Sequence, residues 1–251
     1  MAETETHHDE ILTFGSEYAL FVDVPKRLPN TFKAITMDLS RLDDLPAPEF
    51  VFDIGANVGA WTRMAAQHWP KAWFYMIEAN PGCKTALADT EEIMHPRANS
   101  SICLLGDSHR QQVPFYSAGA SATGDSIYRE HLTGIYENCE IKHMPMYTID
   151  MLFDGLQVDL IKIDTQGSEL DILRGGTEVV STVPVVILEV SVTPYNEDAP
   201  LKQDVMDYME SIGFTEARVL AETHTGVCNQ QDIAFIRDGH FPTTPASIDQ
   251  R

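Results

Sequence analysis

The chain has 251 residues, with 17 Lys and Arg against 38 Asp and Glu, which gives a formal net charge of −21 at pH 7. This charge disfavours binding to nucleic acid and to anionic membrane surfaces, because both attract clusters of cationic side chains. Hydrophobic residues make up 43 % of the chain, as in ordinary globular proteins. No apolar run reaches the roughly 18 residues of a membrane span, and the polar, acidic first ten residues are unlike a signal peptide. We therefore expect a cytoplasmic globular protein that binds neither nucleic acid nor membranes.

Short apolar runs alternate with segments of helical periodicity from residue 50 onward. The predicted strands are 50–54, 73–77, 102–105, 158–163, 185–190, 217–220 and 233–237. The predicted helices are 61–69, 82–93, 169–173 and 201–212. Continuous apolar strands that alternate with helices are typical of a parallel sheet covered on both faces. The sequence thus predicts an α/β fold with a seven-stranded, mostly parallel sheet whose last two strands form a hairpin.

The predicted domain spans residues 49–240, after an N-terminal extension at 1–48 and before a C-terminal tail at 241–251. An insertion at about 111–147 interrupts the alternation of strands and helices. Its segment 118–136 begins with a stretch rich in Ala, Gly and Ser. We expect this segment to lie over the carboxyl edge of the sheet and to contribute to substrate choice, as inserted loops there often do. The alternative is an irregular surface excursion.

Acidic and glycine residues follow three successive predicted strands. The first strand leads into a loop with Gly55 and Gly59, which allow the backbone to pass close to a ligand at a helix N-terminus. Glu78 ends the second strand, where an acid is suited to bind the two hydroxyls of a ribose, and Asp107 follows the third. The sequence therefore predicts a nucleoside site. Asn57 stands where the dinucleotide pattern has its second glycine, which disfavours a nicotinamide-dependent dehydrogenase.

Two further acids are expected at the same edge of the sheet. Asp164 ends the fourth predicted strand, which places it beside the reacting end of the nucleoside ligand. Glu189 lies near the end of the fifth strand, and a carboxylate there is costly to bury unless it faces the site or a cation. Glu169 either contributes to the site or complements the dipole of the helix that follows.

Five sequence segments carry a resemblance to a known family: VFDIGANVG, MIEANP, TIDMLF, DLIKIDTQGSELDILRGG and VVILEV. Together they resemble the FkbM-type S-adenosylmethionine-dependent methyltransferases, over about residues 50–237. The resemblance implies a class I, Rossmann-like methyltransferase fold and S-adenosylmethionine as cofactor. It also implies a small-molecule acceptor, such as a sugar or a natural product, that is methylated on a hydroxyl. The family usually has an acid where this chain has Gln166, which bears on the acceptor.

The resemblance also implies which residues contact the cofactor. Glu78 would hold the ribose, Asp107 would lie near the adenine, and Asp164 would lie near the methionyl end or the acceptor. The full implied set is Asp53, Gly55, Ala56, Asn57, Gly59, Glu78, Ala79, Asn80, Asp107, Ser108 and Asp164.

Methylation of a hydroxyl also requires a group that removes its proton. The candidate bases are Asp164, Glu189, His143 and, as a further histidine, His131. Asp164 and Glu189 partly match the acids that bind a divalent metal in related enzymes, but no third ligand is evident, and we predict no metal. Two alternatives to a methyltransferase remain at this stage: a non-catalytic S-adenosylmethionine-binding module and, less favoured, the dehydrogenase. The sequence gives no indication of the oligomeric state.

Overall fold

A computed structural model describes residues 37–119, 123–131, 134, 136–224 and 229–239. The C-terminal tail and residues 1–36 of the predicted extension lie outside the described residues. The strands are β1 (Phe50–Ile54), β2 (Trp73–Glu78), β3 (Ala98–Ile102), β4 (Leu104–Leu105), β5 (Arg110–Ser117), β6 (Glu140–Tyr147), β7 (Leu160–Ile163), β8 (Val185–Ser191), β9 (Phe214–His224) and β10 (Asn229–Arg237). The helices are α1 (Ala60–His68), α2 (Lys84–Met94), α3 (Ile149–Phe153), α4 (Glu169–Arg174), α5 (Thr177–Thr182) and α6 (Lys202–Ser211), with 3₁₀ turns at Leu39–Leu42 and Pro81–Cys83.

The main sheet has seven strands in the order β3-β2-β1-β7-β8-β10-β9. β3, β2, β1, β7 and β8 pair in parallel, whereas β10 pairs antiparallel with both β8 and β9. The seven-stranded, mostly parallel sheet and its terminal hairpin are therefore confirmed. β1 is an interior strand beside the central β7, so the loop that follows it opens near the middle of the carboxyl edge.

Apolar side chains cover both faces of this sheet. Phe52 and Ile54 of β1 point to one face, where residues of α4, α5 and α6 pack against them. Val51 points to the opposite face and packs with Trp61 of α1 and Leu87 of α2. Strands buried on both faces explain the continuous apolar runs in the sequence.

The third strand is not where the sequence predicted it. The predicted strand 102–105 is wrong: β3 is Ala98–Ile102, and Leu104–Leu105 turns away to pair in parallel with β6 in a separate sheet. The difference has a simple origin, because β3 is the edge strand and carries the partly exposed polar residues Asn99, Ser100 and Ser101. The apolar pair that follows belongs to the smaller sheet.

The two ends of the insertion form β5 and β6, which join β4 in a three-stranded sheet in the order β4-β6-β5. β5 and β6 pair antiparallel, and Val113, Phe115 and the fully buried Met146 form a core of their own. Gly106 allows the chain to pass this core, since an added Cβ there would lie 2.3 Å from the sulfur of Met146. Both ends of the insertion are therefore regular structure.

Residues 37–48 pack against the domain. Met37, Leu39 and Leu42 are buried in the same apolar cluster as Trp61 of α1. The backbone N–H of Asp38 donates to the carbonyl of Leu220 in β9, at 2.9 Å. In the part of the chain that the structure describes, no helix is long and apolar enough to cross a membrane.

Candidate active site

A cavity of about 670 Å³ lies at the carboxyl ends of β1, β2, β7 and β8. Its size is within the range of small-molecule and cofactor sites. Seven of the residues predicted from the sequence line it: Gly55, Ala56, Asn57, Glu78, Ala79, Asp164 and Glu189. The structure thus brings together the loop after β1, the acid of β2 and both acids of the neighbouring strands.

The loop after β1 lies directly against the loop after β7. Gly55 has φ +76°, and a Cβ built on it would lie 1.9 Å from the carbonyl oxygen of Asp164. Asn57 and Gly59 also have positive φ, at 49° and 72°. Because Gly55 has no side chain, the backbone of this loop packs directly on the loop after β7 at the wall of the cavity.

Gly55→Ala is expected to abolish cofactor binding and to lower the free energy of unfolding. The methyl group would overlap Asp164 and also disfavour the positive φ. Gly155→Ala is the matched control, since Gly155 has φ +72° but nothing within 4 Å of its added Cβ. Urea unfolding and calorimetric titration with S-adenosylmethionine measure both effects. Equal losses in the two variants would show that the contact with Asp164 is unimportant.

Glu78 holds the ends of two loops. Its Oε2 accepts the N–H of Asn57 and its Oε1 accepts the N–H of Asn80, each at 2.7 Å. A carboxylate offers about four lone-pair sites, so both oxygens retain capacity for hydroxyl donors of a ligand. Burial raises the pKa of Glu78, and these two backbone N–H groups oppose the shift.

A buried ion-pair cluster lies beneath the loop after β1. Lys162 of β7 is 3 % exposed, and its Nζ lies 3.0 Å from Asp164 Oδ2 and 3.7 Å from Asp53 Oδ1. The hydroxyl of Thr62 donates to Asp53 Oδ2 at 2.5 Å. Burial raises the pKa of Asp53, whereas burial of Asp164 is outweighed by Lys162, which lowers its pKa. Asp53 does not line the cavity; it fixes Lys162 and α1 behind it.

Three carboxyl groups stand side by side on adjacent strands. Asp164 follows β7, Glu189 is in β8, and Asp232 of β10 is directly opposite Glu189 in the strand register. Burial, followed by the charges of Asp164 and Asp232, raises the pKa of Glu189 well above its ordinary value. Burial, followed by the charge of Asp164, raises the pKa of Asp232 to about 7.

An amide occupies the position where the resemblance leads one to expect an acid. Nε2 of Gln166 donates to Oδ1 of Asp164 at 2.9 Å and also to Oε2 of Glu189. Gln166 itself has φ 56°, and the N–H groups of Thr165 and Gly167 donate to the buried Glu169. Glu169 therefore fixes the backbone of this loop, in addition to any effect on the dipole of α4. Its burial raises its pKa to about 7.

Asp232→Asn is expected to flatten the dependence of stability on pH between about pH 4 and pH 7. The folded protein binds a proton at Asp232 up to about pH 7, whereas the unfolded chain releases it near the ordinary value of 3.8. Stability is therefore lost as pH rises through this window, and the amide removes that loss. Urea unfolding at several pH values measures it, with the exposed Asp89→Asn as control. Parallel profiles for wild type and Asp232→Asn would contradict the shifted pKa.

Several residues of the predicted set lie away from the cavity. Asp107 follows β4 of the smaller sheet and not a strand of the main sheet, and it pairs with Arg110 at 2.7 Å. Its place near the adenine stays a prediction. Ser108 lies beside Asp107 and donates to its carboxylate. Exposed His143 is on β6, and His131 is exposed in the insertion. Neither histidine lines the cavity.

Two other predicted residues support the site from behind. Gly59 is the residue before α1, and a Cβ there would lie 2.8 Å from the hydroxyl of Thr90. Asn80 is buried, and its Nδ2 donates to the carbonyl of Gly119 at 2.7 Å and to Oδ2 of Asp125 at 2.8 Å. Asn80 thus ties the loop after β2 to the insertion.

The insertion reaches over the cavity. Thr123, Asp125, Ser126 and Ile127, all within the predicted segment 118–136, line it. Residues 120–122, 132, 133 and 135 of that segment lie outside the described residues. The described part has the position that was expected of it, and its role in substrate choice stays a prediction.

The lining also includes polar residues that were not singled out from the sequence, among them Lys162, Gln230, Asp232 and, within the predicted segment 118–136, Asp125. Lys162 carried a usable signal, because a lone Lys within the apolar strand 160–163 implies an acidic partner. Asp125 is in an irregular loop, and Gln230 and Asp232 are in the polar start of β10. Neither segment shows a period that would predict the direction of its side chains. Within the described residues, no group of three or more His, Cys, Asp or Glu side chains is arranged to hold a metal ion.

The sheet order and the glycine loop between β1 and α1, with an acid at the end of β2, define a class I methyltransferase. Residues 53–216 match the family model of the methyltransferase FkbM domain. The chain belongs to this family, whose methyl donor is S-adenosylmethionine.

Solved structures of methyltransferases show a remote likeness. A putative O-methyltransferase from Klebsiella pneumoniae is 14 % identical, with a TM-score of 0.49 over 84 % of each chain. Precorrin-6y C5,15-methyltransferase from Geobacter metallireducens is 15 % identical, with a TM-score of 0.45 over 79 % of this chain and 85 % of that one. Magnesium protoporphyrin IX methyltransferase from Synechocystis, solved with bound S-adenosylmethionine, is 16 % identical, with a TM-score of 0.45 over 79 % and 74 %. No curated protein matched the sequence. The assignment rests on the family match.

The described residues fit S-adenosylmethionine. Gly55 allows the loop after β1 to lie against the backbone of Asp164 at the wall of the cavity, and buried Glu78 keeps acceptor capacity beside it. The carboxylates on the β7 and β8 side of the cavity suit a ligand with a positively charged sulfonium, since opposite charges attract strongly at low dielectric.

Proposed function

We propose that the protein methylates a hydroxyl of a small molecule, such as a sugar or a natural product. The observation that carries this proposal is the pair Asp164 and Glu189, two carboxyls in the cavity next to the loop after β1 that both accept a hydrogen bond from the side-chain amide of Gln166. A hydroxyl requires a proton acceptor at this place, whereas a more nucleophilic acceptor does not.

S-Adenosylmethionine, when bound, supplies an electrophilic methyl group on a sulfonium. The residues of the chain position the reactants around it. The loop at Gly55 and the carboxylate of Glu78 fix the nucleoside, and such positioning supplies much of the catalysis in an in-line displacement. Asp164, kept ionised by Lys162, orients the acceptor or the methionyl ammonium.

Glu189 is the proposed base. The acceptor oxygen forms its bond to the methyl carbon as the carbon–sulfur bond breaks, and the hydroxyl proton passes to the carboxylate of Glu189. The high pKa of Glu189, which follows from its burial, makes it a stronger proton acceptor than an ordinary carboxylate. The two Gln side chains that donate to its Oε2, Gln166 and Gln230, orient the group.

The proposal is tested with a panel of hydroxylated compounds incubated with the protein and methyl-labelled S-adenosylmethionine. Mass spectrometry of each product identifies the atom that carries the label. Labelled O-methyl product that Glu78→Ala does not form supports the proposal. Cofactor binding without turnover of any compound would favour the non-catalytic module instead, and label on nitrogen or carbon alone would exclude O-methylation.

A further inference from the structure

The cavity carries far more negative than positive charge. Five carboxyl groups line it: Glu78, Asp125, Asp164, Glu189 and Asp232. Among the described lining residues, the cation is Lys162. Its ammonium group is buried between Asp164 and Asp53, so it is already paired and cannot turn toward a ligand. An anionic ligand group would therefore meet carboxylates in this part of the cavity without a compensating cation.

The acids fall into two groups along the edge of the sheet. Glu78 belongs with the loop after β1, where the nucleoside is placed. Glu189 and Asp232 lie two and three strands away from β1, on β8 and β10. Ala221 of β9 is opposite Asp232, and Thr223 is opposite Gln230 in the next row. β8, β10 and β9 thus form a continuous polar wall that is separate from the ribose-binding end.

Asp232 differs from its neighbours in this wall. Glu189 accepts hydrogen bonds from two glutamine amides, and Asp164 is paired with Lys162. The side chain of Asp232 makes no hydrogen bond or ion pair with another described residue, although it is partly buried and lines the cavity. Carboxyl groups directly opposite each other across two strands repel when both are ionised. A cation placed between Asp232 and Glu189 would remove this repulsion and give Asp232 a partner.

We infer that Asp232 is a specificity-determining residue. It contacts the acceptor and selects one that carries a protonated amine in addition to its hydroxyl groups. The inference rests on the proposed function, since it takes the wall of β8, β10 and β9 as the acceptor half of the cavity. It excludes phosphorylated and carboxylated acceptors, which the same wall repels. A neutral polyol lacks the charge that Asp232 and Glu189 would attract.

The test uses two sets of compounds matched in shape and different in charge. The first is tyramine, 4-ethylphenol and 4-hydroxyphenylacetate, and the second is glucosamine, glucose and glucuronate. Binding of each to the full chain, saturated with S-adenosylhomocysteine, is measured by calorimetry at about pH 7.5, above the pKa of Asp232. The amine of at least one set is expected to bind about tenfold or more tightly than its carboxylate, as for a charge-assisted hydrogen bond.

Asp232→Asn keeps the shape of the side chain and is expected to bring this ratio to about threefold or below, with the affinity for S-adenosylhomocysteine unchanged. Asp89→Asn, on the exposed side of α2, changes the net charge equally and is expected to leave the ratio as it is. Equal affinities within each set, no binding by any of the six compounds, or an unchanged ratio in Asp232→Asn would overturn the inference.

Methyl transfer distinguishes this inference from the proposed function. Preferential binding of an amine, lost in Asp232→Asn, without labelled oxygen in any product would overturn O-methylation and retain the role of Asp232. O-Methylation of neutral or anionic compounds with no preference for amines would retain the proposed function and overturn the role of Asp232.

Discussion

Glu189→Gln is expected to lower the turnover of a methylated hydroxyl acceptor by about 10²–10⁴, the usual contribution of a general base. Glutamine preserves the shape of the side chain and one acceptor oxygen, but it takes no proton. The affinity for S-adenosylmethionine is expected to change little, because Glu78 and the loop at Gly55 lie elsewhere in the cavity. Single-turnover rates and calorimetric titration separate the two effects.

The pH dependence of the wild-type protein provides a second readout. Burial and the charges of Asp164 and Asp232 raise the pKa of Glu189, so the rate is expected to increase with pH as this carboxyl loses its proton. Asp164→Asn is the comparison variant. Normal turnover in Glu189→Gln together with an inactive Asp164→Asn would reverse the two roles, and full activity in both would show that positioning alone carries the reaction.

Glu78→Ala is expected to weaken S-adenosylmethionine binding by at least tenfold, and by about 100-fold if both ribose hydroxyls lose their partner. A hydrogen bond to a charged group contributes about 1.5–3 kcal/mol, and each factor of ten in affinity corresponds to about 1.4 kcal/mol. The substitution also leaves the N–H groups of Asn57 and Asn80 without the acceptor that now fixes the two loops. Calorimetric titration measures the dissociation constant.

Glu92→Ala is the control for this prediction. Glu92 is exposed on α2, and its substitution removes the same charge. Thermal unfolding of both variants shows whether the substitution changes only the two loops or also lowers the stability of the whole protein. An unchanged dissociation constant in Glu78→Ala would refute the assignment of Glu78 to the ribose.

The sequence predicted the centre of the site better than its margins. Gly55, Glu78 and Asp164 each follow a strand that is buried on both faces, and such strands have an apolar run whose end is easily located. The third strand was misplaced because β3 is an edge strand and carries polar residues. Asp232 was missed because it lies in the polar start of β10, and only the pairing of β10 with β8 shows that it stands beside Glu189.

The contact between Gly55 and Asp164 has a consequence for the newly synthesised chain. The loop after β1 is complete in sequence once residue 59 has been made, but the backbone that supports it is about 110 residues further along. β1 and β7 therefore have to pair across this separation before the cavity is complete. Contacts between residues so distant in sequence form slowly, because the intervening chain must be ordered first. We expect the nascent protein to acquire cofactor affinity only after β7 has emerged from the ribosome, well after the glycine loop itself.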